Sequence, residues 1–333
     1  MSYENITLEK GMYNVKGGIT AALESIDPSE NYADTPLAGL DAYQRQLKRF
    51  DIKVSGPSSD TVEKFFSTSS SAALFPEYLT RSVKSGFIGY DLLSQIVATT
   101  THINSMDYRS IISTPADSDL NLSEVEEGTA IPETSIKIKD KLVNLKKHGR
   151  MLVASYESLK FQRLDLFTVA LKQIGAHIAS QQFDDAISVL AKDAGEVTRT
   201  SNAKILFTDF VNLWKALAPY EMGTVIMSPD VIAQMLSMSA FQDPDFGFKF
   251  GNNHGFDTNL GFKIINARNS TNSIIAFDKN YALEMVVASD IEVDSDRLID
   301  RQLERATITS IAGFSKIIDN SVKKLVNVVT NEG

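Results

Sequence analysis

Four histidines, one Asp-Phe-Gly triplet and a lysine-rich stretch are the residues here whose types and spacing invite a chemical reading. His102, His148, His177 and His254 would bind a metal in pairs, yet none stands three or four positions from another. His177 falls on or beside a helical stripe, which makes it a structural residue. His254, in "GNNHGFD", stands in a glycine-rich loop where an ion could bind, and we read it instead as part of a plain surface loop. Asp245, Phe246 and Gly247 form the triplet that holds magnesium in protein kinases. No glycine-rich loop with a following strand lysine and no catalytic-loop signature precede it, so it reads as a chance match.

The chain contains no cysteine, which removes disulfides, thiolate nucleophiles and cysteine-held zinc or iron-sulfur centres. It has no Gly-x-Ser-x-Gly elbow, P-loop or dinucleotide fingerprint. We therefore expect no catalytic residue, no cofactor and no metal, and keep an enzyme of unknown class as a distant alternative.

The lysines remain. Residues 127 to 150 read "EGTAIPETSIKIKDKLVNLKKHGR", bracketed by Gly128 and Gly149. No packed core buries Lys137, Lys139, Lys141, Lys146, Lys147 and Arg150 together, so the segment must face water or another molecule. Ile136 and Ile138 alternate with Lys137 and Lys139 at strand period, and Val143 and Leu145 then fall on the other parity. That shift predicts a bulge or turn within "KDK". One reading is a solvated sheet edge, where lysines discourage pairing; the other is a contact with a partner.

The elements around this ribbon follow from composition and period. With 333 residues and 43% hydrophobic content the chain can bury a substantial core, enough for two or three domains. A net charge of −9 argues against a protein that coats nucleic acid as its whole task. The start "MSYENITLEKGMYNV" has neither a basic nor an apolar leader region, and no window approaches the ~20 apolar residues of a membrane span. The expectation is a protein that folds in a cytoplasm.

Residues 1 to about 75 read as an arm without a core, its short pieces separated by "IDPSENYADTP", "SGPSSD" and "STSSSAA". Within it Leu37, Leu40, Tyr43 and Leu47 recur at helical spacing, with Arg45, Lys48 and Arg49 elsewhere around the helix. Such an amphipathic piece docks on its own body or on a neighbour. The clearest helix carries Leu164, Phe167, Leu171, Ile174 and Ile178, extended by Phe183, Ile187 and Leu190, and spans about 25 residues and roughly 40 Å. Residues 205 to 290 read as an α/β unit. There Phe210, Leu213, Trp214 and Leu217 form a helical face after a Thr208 cap, and "TVIM" leads into a helix capped by Ser228 with Pro229 in its first turn. "FKIINA", "SIIAF", "YALEMVVASDIEV" and "RATITSIAGF" read as strands, followed by a final amphipathic segment through Lys324.

The order of an arm, an extended ribbon beginning "EGTAIPETSI", the run "LKKHGRMLVASYESL" and a long spine helix resembles the major capsid proteins of tailed bacteriophages, the Hong Kong ninety-seven type fold. Glu127, Gly128, Pro132 and Glu133 match that family's E-G-x-x-x-P-E element, and Ser155, Glu157 and Leu159 its S-x-E-x-L run. "SSAALFPEYL", "VIMSPDVIAQML", "LGFKIINA" and "ERATITSIAGF" fall in the family's order, so the likeness covers roughly residues 70 to 320. Two departures stand out. "LAKDAGEV" replaces the usual Asn-Gly-x-Gly turn after the spine, and Asp140 occupies the position of the cross-linking loop lysine, so no covalent cross-link is expected.

The resemblance implies an α+β fold with these parts: residues 1–75 an N-terminal arm, 76–106 the start of a peripheral domain and 107–150 the extended loop. Residues 151–199 would hold the peripheral domain with its spine helix, 200–284 an axial domain, and 285–333 the returning strands. It implies a shell built of hexamers and pentamers, with the loop lysines meeting acids on the next subunit. Leu37, Leu40, Tyr43 and Leu47 would serve an arm contact. The partners implied are other copies of the chain, portal and scaffold proteins, decoration proteins, and packaged double-stranded DNA through non-specific contact only, with no membrane. The runner-up is an encapsulin, a bacterial cargo compartment of the same fold.

Overall fold

The computed structural model describes residues 3–15, 17–112, 124, 127, 137–155, 161–202, 204–242, 249–250, 255–257, 261–267, 274–298 and 303–327. Its helices are α1 (Gly18–Ile26), α2 (Ala42–Arg49), α3 (Ser69–Ala72), α4 (Phe75–Gly89), α5 (Leu164–Ala191), α6 (Phe207–Leu217), α7 (Pro229–Leu236), α8 (Ser239–Gln242) and α9 (Lys279–Ala282). Its strands are β1 (Thr99–His102), β2 (Ile111–Ile112), β3 (Lys137–Ile138), β4 (Leu145–Ser155), β5 (Gly195–Thr198), β6 (Thr224–Met227), β7 (Lys249–Phe250), β8 (Gly255–Asp257), β9 (Lys263–Asn266), β10 (Ile274–Phe277), β11 (Leu283–Leu298), β12 (Leu303–Lys316) and β13 (Val322–Val326). The chain divides into two compact units.

The first unit comprises Met1–Tyr90, His148–Ala179 and Asp290–Ser310. Its core is built where the first turns of α5 meet α4: Leu164, Phe167, Leu171 and Ile174 pack with Phe75, Tyr78, Leu79 and Val83. Phe75 and Phe167 stack with ring centroids 6.5 Å apart, and the Tyr78 hydroxyl donates to the Leu164 carbonyl at 2.8 Å. The helices approach closely because each carries a glycine at the contact. A Cβ on Gly86 would lie 2.0 Å from the Lys172 carbonyl oxygen, and one on Gly175 2.1 Å from that of Val83.

The segment 1–75 departs from the coreless arm expected of it. Ile6, Leu8, Ile19, Leu23, Ala42, Tyr43, Leu47, Val62 and Phe65 all enter the same buried cluster. Each short piece contributes only one or two apolar residues, so no single window shows the period that a long helix shows. The stripe Leu37, Leu40, Tyr43, Leu47 is likewise not one helical face. Asp41 accepts from the Gln44 N–H at 2.8 Å while Gln44 accepts from the Asp41 N–H at 3.0 Å, a capping box that starts α2 at Ala42. Leu37 and Leu40 therefore precede the helix and are half-buried, and Tyr43 and Leu47 are covered by the chain itself.

Arg45, which the spacing sets elsewhere around that helix than the apolar residues, is wholly buried. Its Nε donates to Asp27 Oδ2 at 3.0 Å, its Nη1 to Ser29 Oγ at 2.8 Å and to the Leu40 carbonyl at 2.7 Å. The Tyr32 ring lies 4.5 Å from the guanidinium and the Tyr32 hydroxyl donates to Asp27 Oδ1 at 2.7 Å. A buried charge persists only where its donors are met in this way.

The second unit comprises Asp91–Lys147, Ser180–Ser289 and Ile311–Gly333. Its main sheet has the order β5-β13-β10-β6-β9-β8-β7. β10 runs antiparallel to both β13 and β6, whereas β13 with β5 and β6 with β9 are parallel. Every residue of β6 and β10 is buried, as unbroken apolar runs at the centre of a covered sheet require. Phe210, Leu213 and Leu217 of α6 and Val231, Ile232 and Met235 of α7 pack with Val225, Met227 and Ile264 of that sheet. The Ser228 hydroxyl caps α7 by accepting from the Val231 N–H, with Pro229 in its first turn. On α6 the expected Thr208 cap is displaced: Leu206 holds the N-cap position and Asp209 accepts from the Leu206 N–H at 2.9 Å. The carboxylate reaches back to the helix start and leaves Thr208 inside the first turn.

β1 pairs in parallel with β11 at Thr99–His102 against Glu284–Val287, and these strands belong to a sheet of order β1-β11-β12-β4. The long stripe of α5 is buried from Leu164 through Phe183, Ile187 and Leu190, as its period predicts.

Candidate functional site

The lysine ribbon is short and antiparallel: Ile111 pairs with Ile138 and Ile112 with Lys137. Beyond it the Lys139 N–H donates to the Ser110 carbonyl at 2.8 Å and the Val143 N–H to the Tyr108 carbonyl at 2.9 Å. One side advances two residues and the other four, so the bulge read in "KDK" lies within residues 140–142.

The ribbon does not sort into a buried and an exposed face. Lys137 and Ile138 are both exposed, Ile138 at 67%, while Lys139 is half-buried, donating to the Lys316 carbonyl at 2.6 Å and to Ser315 Oγ at 3.2 Å. Burial pushes the Lys139 ammonium below the ordinary lysine value, opposed by the Asp319 charge and reinforced by Lys316. Lys146 also finds its acid within the chain, at Asp185 Oδ1, 2.6 Å away. Lys137, Lys141, Lys147 and Arg150 are exposed. Of the residues that carry the E-G-x-x-x-P-E likeness, Gly128, Pro132 and Glu133 lie outside the described residues, as do Ile136, Glu157 and Leu159; Glu127 is exposed in a turn.

The root of the ribbon is organised by a residue that sequence reasoning missed. Glu284 is 5% exposed and accepts from Thr101 Oγ1 and the Tyr108 hydroxyl, both at 2.7 Å, and from the Ser110 hydroxyl. This one carboxylate ties β1 to both residues that fix the ribbon's register. Its hydrogen bond raises the Tyr108 hydroxyl above the ordinary tyrosine value, with burial adding to the shift. The signal in the sequence is a lone acid within the apolar run "YALEMVV".

Elsewhere, Phe207, Phe210, Val211, Trp214, Met222 and Phe262 line an apolar cleft of about 240 Å³. Trp214, expected on the packed face of its helix, is 65% exposed at this cleft. His102 and His177 are exposed and His148 is half-buried; His177 lies beside the stripe without packing into it. His254 and the triplet Asp245 to Gly247 lie outside the described residues. Among the described residues no cluster of histidines and carboxylates could hold a metal, and no helix is long and apolar enough to cross a membrane.

The surfaces on offer are thus an exposed basic and apolar ribbon and an apolar cleft, which are means of association. Residues 138–308, more than half of the chain, match the sequence profile of a family described as phage capsid protein. No curated protein matches the chain in sequence. Among solved structures, the virus-like particle from Pyrococcus furiosus is similar at 14% identity, with a TM-score of 0.52 over 75% of this chain and 98% of that one. The capsid of an empty GTA particle is similar at 15% identity, TM-score 0.53, over 70% and 88%. The capsid of Cyanophage P-SCSP1u is similar at 14% identity, TM-score 0.51, over 71% and 88%. At these identities the likeness speaks to the fold, and the profile match speaks to descent. The chain belongs to the phage capsid protein family and has the α+β, Hong Kong ninety-seven type fold of tailed-phage major capsid proteins.

Proposed function

We propose that this chain is the major capsid protein of a tailed phage, a structural and not a catalytic protein. It self-assembles into hexamers and pentamers that close an icosahedral head around double-stranded DNA. The observation that carries the reading is the family match over residues 138–308. The net charge of −9 supports it, since a wall of that sign holds packaged DNA by non-specific contact only. In this reading residues 1–75 are the N-terminal arm, 76–106 open the peripheral domain and 107–150 form the extended loop. Residues 151–199 carry the spine, 200–284 the axial domain and 285–333 the returning strands. The loop lies over the next subunit and Leu37 and Leu40 serve the arm's contact. Portal, scaffold and decoration proteins are the further partners. Assembly takes place in the host bacterial cytoplasm and the product is the virion shell.

A cargo compartment of encapsulin type is the second reading. It draws on the likeness to the Pyrococcus furiosus virus-like particle, which extends over 98% of that chain. Electron microscopy of the purified chain, with scaffold supplied, tests both: closed shells or isolated pentamers and hexamers are expected. A chain that stays monomeric at high concentration in every salt would overturn them. Nucleic acid inside particles isolated from infected cells separates the phage head from the compartment.

A further inference from the structure

The spine helix ends on an unusual turn. The Lys192 N–H still donates back to the Ser188 carbonyl at 3.1 Å, but Asp193 then takes a φ of 54°, the left-handed region where a helix commonly closes on glycine. In "LAKDAGEV", which replaces the usual glycine turn, no glycine stands until Gly195. The turn is held from β12 instead. Lys316, 7% exposed, donates from its ammonium to the Lys192 carbonyl and lies 3.6 Å from Asp319 Oδ1. The carbonyl of the same residue accepts from the Lys139 ammonium at 2.6 Å, at the root of the ribbon. Just beyond it the chain is pinned: the Ile317 N–H donates to the Ala282 carbonyl at 2.9 Å and the Ile318 N–H to that of Tyr281 at 3.2 Å.

We propose that Lys316 is a relay that couples the setting of the ribbon to the last turn of the spine helix. With Ile317 pinned, Lys316 moves mainly by rotation, and a rotation that follows Lys139 carries the Lys316 side chain with it. The Lys192 carbonyl then loses its donor. Asp193 carries a Cβ that the left-handed region disfavours, so without that bond the turn relaxes. The turn thus has two settings, closed with Lys316 in place and open without it, which is the bistable element that coupling requires. β5 begins at Gly195, two residues past Asp193, so an opened turn also reaches an edge strand of the seven-stranded sheet. Whatever draws on the ribbon loosens the spine end, and by reciprocity whatever steadies the spine end steadies the ribbon. The relay lies within one unit of one chain and operates whether or not the chain forms a shell.

Hydrogen exchange of the full chain tests the coupling. Lys139→Met removes a bond to β12, yet exchange of the Lys192 N–H, in another element, is expected to rise about fivefold or more. Lys316→Met is expected to act in the same way on Lys139 and Val143, whose N–H groups bond to Ser110 and Tyr108. Val225 and Ile226 of β6 stay slow in both variants. Asp193→Gly puts into the turn a residue that holds a left-handed φ without strain, so in the Lys139→Met background it should return Lys192 to slow exchange. Acceleration confined to the ribbon in Lys139→Met overturns the relay, and so does acceleration that spreads evenly to β6. Fast exchange at Lys192 that survives Asp193→Gly overturns the turn as the coupling element. If Lys316→Met does not fold, Lys139→Met alone decides the outcome.

Discussion

Gly86 and Gly175 each press against the backbone of the other's helix, with room for a hydrogen and none for a methyl group. In an exposed helix, replacing glycine by alanine is favourable by about 1 kcal/mol. At this crossing the sign reverses, because the atoms in the way are carbonyl oxygens that cannot rotate aside. Gly86→Ala and Gly175→Ala are each expected to lower stability by at least about 2 kcal/mol, read from the denaturant midpoint. A midpoint unchanged or raised would show that the helices part without cost.

Arg45 and Asp27 are 0% and 1% exposed at their side chains, so removing one strands the other. Asp27→Ala is expected to cost about 3 to 5 kcal/mol, whereas Arg45→Met with Asp27→Leu costs much less. Chemical denaturation of the three proteins checks the ordering, and equal losses in the single and double variants would refute it.

Tyr78 sets a pH dependence on the alkaline side. Burial pushes its hydroxyl from the ordinary 10.0 up to about 12, the hydrogen bond to Thr168 acting in the opposite sense. Its raised value means that the unfolded chain loses the proton first. Stability from this group is full below pH 10 and declines as pH rises towards 12, by about 2 to 3 kcal/mol in total. The buried Tyr43 hydroxyl is raised in the same direction, chiefly by burial. Midpoints measured between pH 9 and 12 should fall less steeply in Tyr78→Phe than in the wild type, whose neutral-pH stability the substitution lowers by about 1 kcal/mol.

Glu284 governs the ribbon's root, not the core. Glu284→Ala leaves the hydroxyls of Thr101, Tyr108 and Ser110 without their acceptor, a loss of about 1 to 3 kcal/mol in this region. Hydrogen exchange should accelerate at Lys139 and Val143, whose N–H groups bond to Ser110 and Tyr108, and stay slow in β6 and β10. Acceleration spread evenly through the unit would contradict a local role.

What could be read from the sequence was whatever repeats at a regular period. The spine helix shows in eight apolar residues from Leu164 to Leu190, and the Ser228-Pro229 start of α7 shows in two adjacent residues with a known local use. The burial of Arg45 and Lys139 is not legible in the sequence for one shared reason: a charge is assigned to water unless its partner is known. The partners, Asp27 and the Lys316 carbonyl, are 18 and 177 positions away. Glu284 was passed over because its three hydroxyl partners lie more than 170 residues distant.

β13 runs between β5 and β10 in the seven-stranded sheet, although it comes last of the described strands. During synthesis, Gly195–Thr198 and Ile274–Phe277 leave the ribosome well before Val322–Val326 and wait without the strand that joins them. Both then present open hydrogen-bonding edges to whatever other nascent chains are nearby. Until that last strand slots into the gap, each nascent chain thus carries two strands whose partner has yet to arrive.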